Sequence, residues 1–317
     1  MTPSRVRIVD AVFAATLALL TAIAAPRAGA DEAPPASTAP ATQSQAIEAE
    51  KKEADAAADK AKILGPAQIA LQDQGMLALP EGFSFLPQPE AGRLMRAYGN
   101  SDSSALAGLI VPEGANGDWW ATLEFVKAGY VKDDDAKNWN ADQLLSSLKE
   151  ATKDQNEDRE KRGFPAVEIT GWIEPPVYDS PTHRLIWSAL VRQIGGSGDE
   201  GSVNYNTYAL GREGYFSLDL ITSKSAIEAD KSVARALLAD ITYNKGKGYE
   251  DFDASSDHIA AYGLAALIGG VALKKLGLFA LGAAFLLKFA KVIGLGAIVV
   301  VAALRRLLGR AKPKAPE

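Results

Sequence analysis

The sequence predicts an α+β fold, an antiparallel sheet covered by helices, followed by an apolar C-terminal tract of transmembrane helical character. Three observations predict it. Four alternating, β-rich runs follow one another at Val167–Trp172, His183–Ile194, Val203–Leu210 and Tyr215–Ile221. Helical patterns bracket them at Asn140–Lys161 and Ser225–Ile241. Strands thus come in a block rather than alternating with helices, which favours an α+β arrangement over a parallel α/β sheet.

Asp31–Ser44 is rich in Ala, Pro, Ser and Thr and reads as a disordered spacer. Gln45–Lys62 is a strong helix former with few large apolar residues, either an exposed helix or an extension of that spacer. The folded domain is expected over residues 63–252. Gln74–Leu86 suggests one or two extended segments broken by Pro80 and Gly82, and Ala91–Tyr98 a helical turn or two. Leu106–Val111 and Trp119–Phe125 are short strands, the second running on toward Tyr130 and Val131. In the long helix, Leu144, Leu145 and Leu148 line one face and Lys149, Lys153, Glu157 and Glu160 another. Gly163-Phe-Pro165 ends it. Gly211-Arg-Glu-Gly214 between alternating runs is a tight hairpin. Ser223 or Ser225 is placed to cap the last helix, whose Ile227, Val233, Leu237, Leu238 and Ile241 share a face.

The ends carry the placement signals. Met1–Ala30 has Arg5 and Arg7, an apolar core from Ile8 to Ala25, and Ala28-Gly-Ala30, the three-part pattern of a signal peptide. Residues 253–304 read as a membrane anchor tract and 305–317 as a basic tail. The apolar tract Ile259–Leu304 is interrupted by Lys274, Lys275, Lys288 and Lys291. Ile259–Phe279 reaches the roughly 20 residues of a spanning helix if the first two lysines snorkel. No Asp or Glu occurs from Ile259 to Pro316, where nine Lys or Arg do. The positive-inside rule then puts the tail in the cytoplasm and the domain outside, with one crossing of the cytoplasmic membrane and lipid as the tract's partner.

The net charge of −5 hides a split, since residues 31–258 hold 22 Lys or Arg against 37 Asp or Glu. So acidic a body argues against nucleic acid as a partner. The absence of cysteine removes disulfides and thiol catalysis. No motif calls for a cofactor.

Three stretches could carry chemistry. Asp133, Asp134, Asp135 and Asp142 crowd one loop and helix start, as oxygen ligands for a cation or as carboxylates favouring a helix N-terminus that Asn138 or Asn140 caps. The spacing is not that of an EF-hand, lacking its turn glycine and closing Glu. Tyr178-Asp179-Ser-Pro-Thr182-His183 holds one of two histidines. It is either a strand-initiating turn or the base and acid of a hydrolase, although no Gly-x-Ser-x-Gly elbow accompanies it. Asn204, Asn206 and Tyr208 alternate with Tyr205 and Thr207. One strand face, with Tyr178, Asp179 and His183, could line a groove for peptide or glycan, or the strand could have one face on a helix and one in solvent. The five tryptophans are most simply core or rim residues.

The runs Gly129-Tyr-Val-Lys-Asp, Trp139-Asn-Ala-Asp142, Gly171-Trp172, Tyr178-Asp179, Thr182-His-Arg-Leu-Ile-Trp187, Val203-Asn-Tyr-Asn-Thr207 and Leu210-Gly-Arg-Glu-Gly-Tyr215 resemble a bacterial family of uncharacterised membrane-anchored envelope proteins. The likeness runs from about Gly75 to Lys291. It implies placement and architecture and transfers no catalytic residue. The element order is also similar to the Mog1/PsbP-like pattern, a likeness of topology only. The resulting expectation is a non-enzymatic binding or scaffolding module, with an envelope protein as partner. The alternative is an envelope hydrolase or metal-dependent enzyme using the Asp133–Asp135 loop or His183.

Overall fold

A computed structural model describes residues 40–269 apart from 101–102, 115–116 and 197–200. The signal-peptide reading, most of the spacer, the basic tail and the anchor tract beyond residue 269 lie outside the described residues. Among the described residues, no helix is long and apolar enough to cross a membrane.

Helix α1 (Pro40–Ala61) leads into the short strand β1 (Ile63–Leu64) and strands β2 (Ala67–Leu71), β3 (Gly75–Leu79) and β4 (Phe83–Pro87). Helix α2 (Glu90–Ala97), β5 (Leu106–Pro112), β6 (Trp120–Val126) and α3 (Ala141–Lys161) come next. Then follow β7 (Val167–Asp179), β8 (Arg184–Gln193), β9 (Ser202–Leu210), β10 (Tyr215–Ser223), α4 (Ile227–Ala239), β11 (Ile241–Tyr243) and α5 (Ala265–Gly269). Eight strands form one sheet in the order β1-β4-β5-β6-β10-β9-β8-β7, and β11-β3-β2 form a second. Every strand pair is antiparallel. The expected α+β architecture with helices over an antiparallel sheet is therefore present.

One face of the large sheet presents Ala121, Leu123, Phe125, Phe216, Leu218 and Leu220. It packs on Ile227, Ala234, Leu237 and Leu238 of α4 and on the small sheet's Leu71, Leu77 and Ile241. The small sheet was not anticipated. The sequence offers only short runs there, and β2 and β11 meet β3 through tertiary pairing alone.

The other face carries Leu185, Trp187, Ala189, Tyr208, Leu210 and Tyr215 against α3's Leu144 and Leu148. Beyond it, Leu86, Leu106 and Leu109 lie under α2's Leu94 and Met95. The C-terminal half of α3 is held by polar contacts. The Asn156 amide donates to the Val167 carbonyl at 2.7 Å and accepts the Val167 N–H at 2.9 Å, imitating a strand partner. Arg159 donates to the Pro165 carbonyl at 3.1 Å. Gly163, at φ +81°, takes the left-handed turn that stops the helix.

Two expected boundaries move. Helix α1 is neither free nor wholly exposed: its Ala54 is fully buried among α2 residues, and Tyr98 donates to Asp55 at 3.1 Å. The folded body also runs past Phe252 into the stretch read as the head of the anchor. Ala260, Leu264, Leu267 and Ile268 belong to the core cluster that holds Leu148, Tyr208 and Tyr215. Asp135 accepts the N–H groups of Leu264 and Ala265 at 3.1 and 3.0 Å. A run that is apolar all round fits a domain core as well as a bilayer, so composition alone cannot separate the two.

Candidate functional site

Strands β7 and β8 are joined by a turn in which Thr182 donates to Asp179 at 2.5 Å. The turn sets His183 at φ +52°, an uncommon conformation for a residue with a Cβ. That conformation aims the imidazole back at Tyr178. The Tyr178 hydroxyl lies 3.1 Å from His183 Nδ1 and donates to Asp133 Oδ2 at 2.8 Å. On the ring's other side, Nε2 lies 2.7 Å from Glu250 Oε1. The row Asp133–Tyr178–His183–Glu250 contains three hydrogen bonds and so needs three protons. The phenol supplies one. A doubly protonated ring supplies the other two, whereas a neutral ring leaves one contact without a proton.

Aromatic stacking backs this row. His183 lies on Tyr249 with centroids 4.1 Å apart, Tyr249 on Tyr130 at 4.4 Å, and Tyr130 on Phe252 at 3.9 Å. Burial, then the neighbouring Asp133 carboxylate, pushes the Tyr178 phenol far above its ordinary range, so it acts only as a neutral donor. The Glu250 side chain is 86% exposed, so its pairing with the ring is solvent-screened and contributes little to stability.

The other candidate residues fall elsewhere. Asp134 and Asp142 are exposed and Asp135 caps α5, so the four loop carboxylates do not meet. Among the described residues, no three His, Cys, Asp or Glu side chains gather as a metal site would require. Asp179 serves its own turn rather than the imidazole.

Asn204, Asn206 and Tyr208 share the sheet face that bears α3 and α5, and all three are buried. Tyr208 donates to the Leu267 carbonyl at 3.3 Å and Asn206 to the Asn204 carbonyl at 3.1 Å. Strand β9 is covered on both sides, so neither of its faces meets solvent.

Beside them are two carboxylates that sequence reasoning passed over. Glu124 of β6 and Asp219 of β10 are 4% and 3% exposed. Burial raises Glu124 to about 7. Asp219 is pushed well above the carboxylate range by burial, then by the charge of Glu124. The patterns Thr122-Leu-Glu124-Phe and Ser217-Leu-Asp219-Leu read as one apolar and one solvent face. In the fold both faces are covered, so the polar one is interior.

Comparison with known proteins bears on family and leaves activity open. The family model described as "Protein of unknown function (DUF2167)" matches residues 63–301. The chain belongs to this family. The DUF2167 match takes in the whole sheet and most of the apolar tract, while α1 lies before it. No curated protein matches the chain. Among solved structures it is similar to cyanobacterial PsbP (CyanoP) from Synechocystis sp. PCC 6803, at 10% identity and a TM-score of 0.35. That likeness covers 58% of this chain and 91% of the other. A score so low carries no weight, and the α+β description rests on the strand pairing itself.

Proposed function

We propose that this DUF2167 protein is a non-enzymatic envelope module, held at the cytoplasmic membrane by its C-terminal tract, whose acidic domain outside docks another envelope protein. The observation that carries the reading is the junction of an acidic body with a run free of carboxylates up to Pro316, apolar and then basic. The signal-like Met1–Ala30 agrees with export, and the family match reaches into the tract. Because Leu264, Leu267 and Ile268 are buried in the domain, the proposed crossing lies within residues 270–304. Among the described residues, the candidate imidazole's ring nitrogens face the Tyr178 phenol and the exposed Glu250 carboxylate, so the hydrolase alternative has no nucleophile at the ring and the binding reading is the one put forward.

The chain has no cysteine, which gives a clean test. Gln45→Cys and Ala311→Cys are introduced singly into the full chain and exposed to a membrane-impermeant maleimide. The expected outcome is labelling of Gln45→Cys once the outer layers are permeabilised, and of Ala311→Cys only after the cytoplasmic membrane is opened. Equal labelling of both before that step overturns the topology. Recovery of the chain as soluble protein after an alkaline wash overturns the anchor.

A further inference from the structure

The two interior carboxylates on β6 and β10 form the most unusual chemistry in the molecule. Glu124 lies directly across from Ser217, and Asp219 across from Thr122. Opposed side chains on a strand pair have Cβ atoms about 4.5–5.5 Å apart, so these four make a compact square on one sheet face. Ser217 donates to both oxygens of Asp219 at 3.2 Å. The Ser103 hydroxyl stands beside Glu124, from the chain between α2 and β5.

Among the described residues, no Lys, Arg or His pairs with either carboxylate. The guanidiniums on α3 and just after it turn to carbonyls instead, Arg159 to Pro165 and Arg162 to Asn100 and Arg96. Helix α5 is wholly uncharged. Around the square stand Tyr208 and Tyr215, phenols that burial keeps protonated.

A second observation is independent of the acids. The Thr122 hydroxyl is fully buried and has no hydrogen-bond partner, although it sits opposite Asp219 and two residues from Glu124 on the same face. Orphaned buried polar atoms are uncommon and costly. Two carboxylates without a counter-charge are costlier still.

We propose that Glu124 and Asp219, with the Thr122 and Ser217 hydroxyls, form an interior binding site for one hard divalent cation of the calcium or magnesium class. All the donors are oxygens, the set such ions select, and the two carboxylates balance the double charge. The site differs in place from the Asp133–Asp135 loop and does not depend on membrane anchoring. An ion there would tie β6 to β10 on that face.

The test uses the full chain, purified in detergent at pH 8, with CaCl2 or MgCl2 against a chelator. The expected result is about one bound ion per chain by elemental analysis after dialysis, and a melting temperature that rises with the added ion by mass action. Asp219→Asn and Glu124→Gln should lower the bound ion at least tenfold and abolish the rise. Each should still melt in chelator no lower than the parent, because each removes an acid whose ionisation burial disfavours. A parent that retains neither ion and does not shift in melting temperature overturns the proposal in favour of protons alone. Variants that bind as the parent does overturn the assignment to these residues.

Discussion

At the residue scale, Glu124 links the fold to pH. Its carboxyl is raised from about 4.5 to about 7 by burial, so the folded state binds its proton more tightly than the unfolded chain. The stability it contributes is complete below about pH 4.5 and is lost as pH rises through about 7. The expected size is on the order of 3 kcal/mol for a group so buried. Urea unfolding of chelated protein between pH 5 and pH 8 should show that decline, and Glu124→Gln should flatten it. Persistence of the same slope in the variant would assign the dependence to another group, with Asp219 the next to examine. The opposite behaviour belongs to Asp257, which bidentate donation from Arg212 holds down to about 2. His183 shows how local backbone decides a network: its left-handed φ, rather than its place in a serine–histidine pattern, brings the ring to Tyr178 and Glu250.

At the element scale, α3 is the clearest case of a sequence signal becoming structure. Asn140 adopts the extended conformation of an N-cap and accepts the Gln143 N–H at 3.0 Å. Asn140→Ala should cost about 1 kcal/mol, seen as a drop in denaturant midpoint without a change in slope. A change in slope would mean that the cap also shapes the unfolded or native compactness. The edge strand β7 shows a different logic. It carries Pro175, Pro176 and three register irregularities along its pairing with β8, features that discourage strand addition by another chain. Docking by edge pairing is therefore least suited to that side.

At the scale of the whole molecule, the domain closes only with residues that resemble a membrane anchor. Leu264, Leu267 and Ile268 bury under α3, and each buried aliphatic side chain contributes about 1.5–3 kcal/mol. Ending the chain after Phe252 should thus remove about 5 kcal/mol or more, a large part of what holds a domain together. Ending it after Gly269 should leave a cooperative melt close to that of the full chain. The comparison is read by circular dichroism melting of both truncations, and equal melting temperatures would show that the segment contributes nothing.

The sequence by itself determined the elements with strong local grammar. The helix from Asn140 to Lys161, the four-strand block and the Gly211–Gly214 hairpin follow from caps, periodicity and turn residues that act within a few positions. The α+β class follows from the same patterns. Tertiary structure alone decided the three-stranded sheet, the burial of both faces of β9 and β10, and the docking of α1 through Ala54. It also decided the end of the domain and the meeting of Asp133 with His183 through Tyr178. In each of those cases a residue's partner is remote in the chain, and burial is a property of what lies across from it. That is why Glu124 and Asp219, ordinary solvent-face carboxylates when read along their strands, become interior groups in the folded chain.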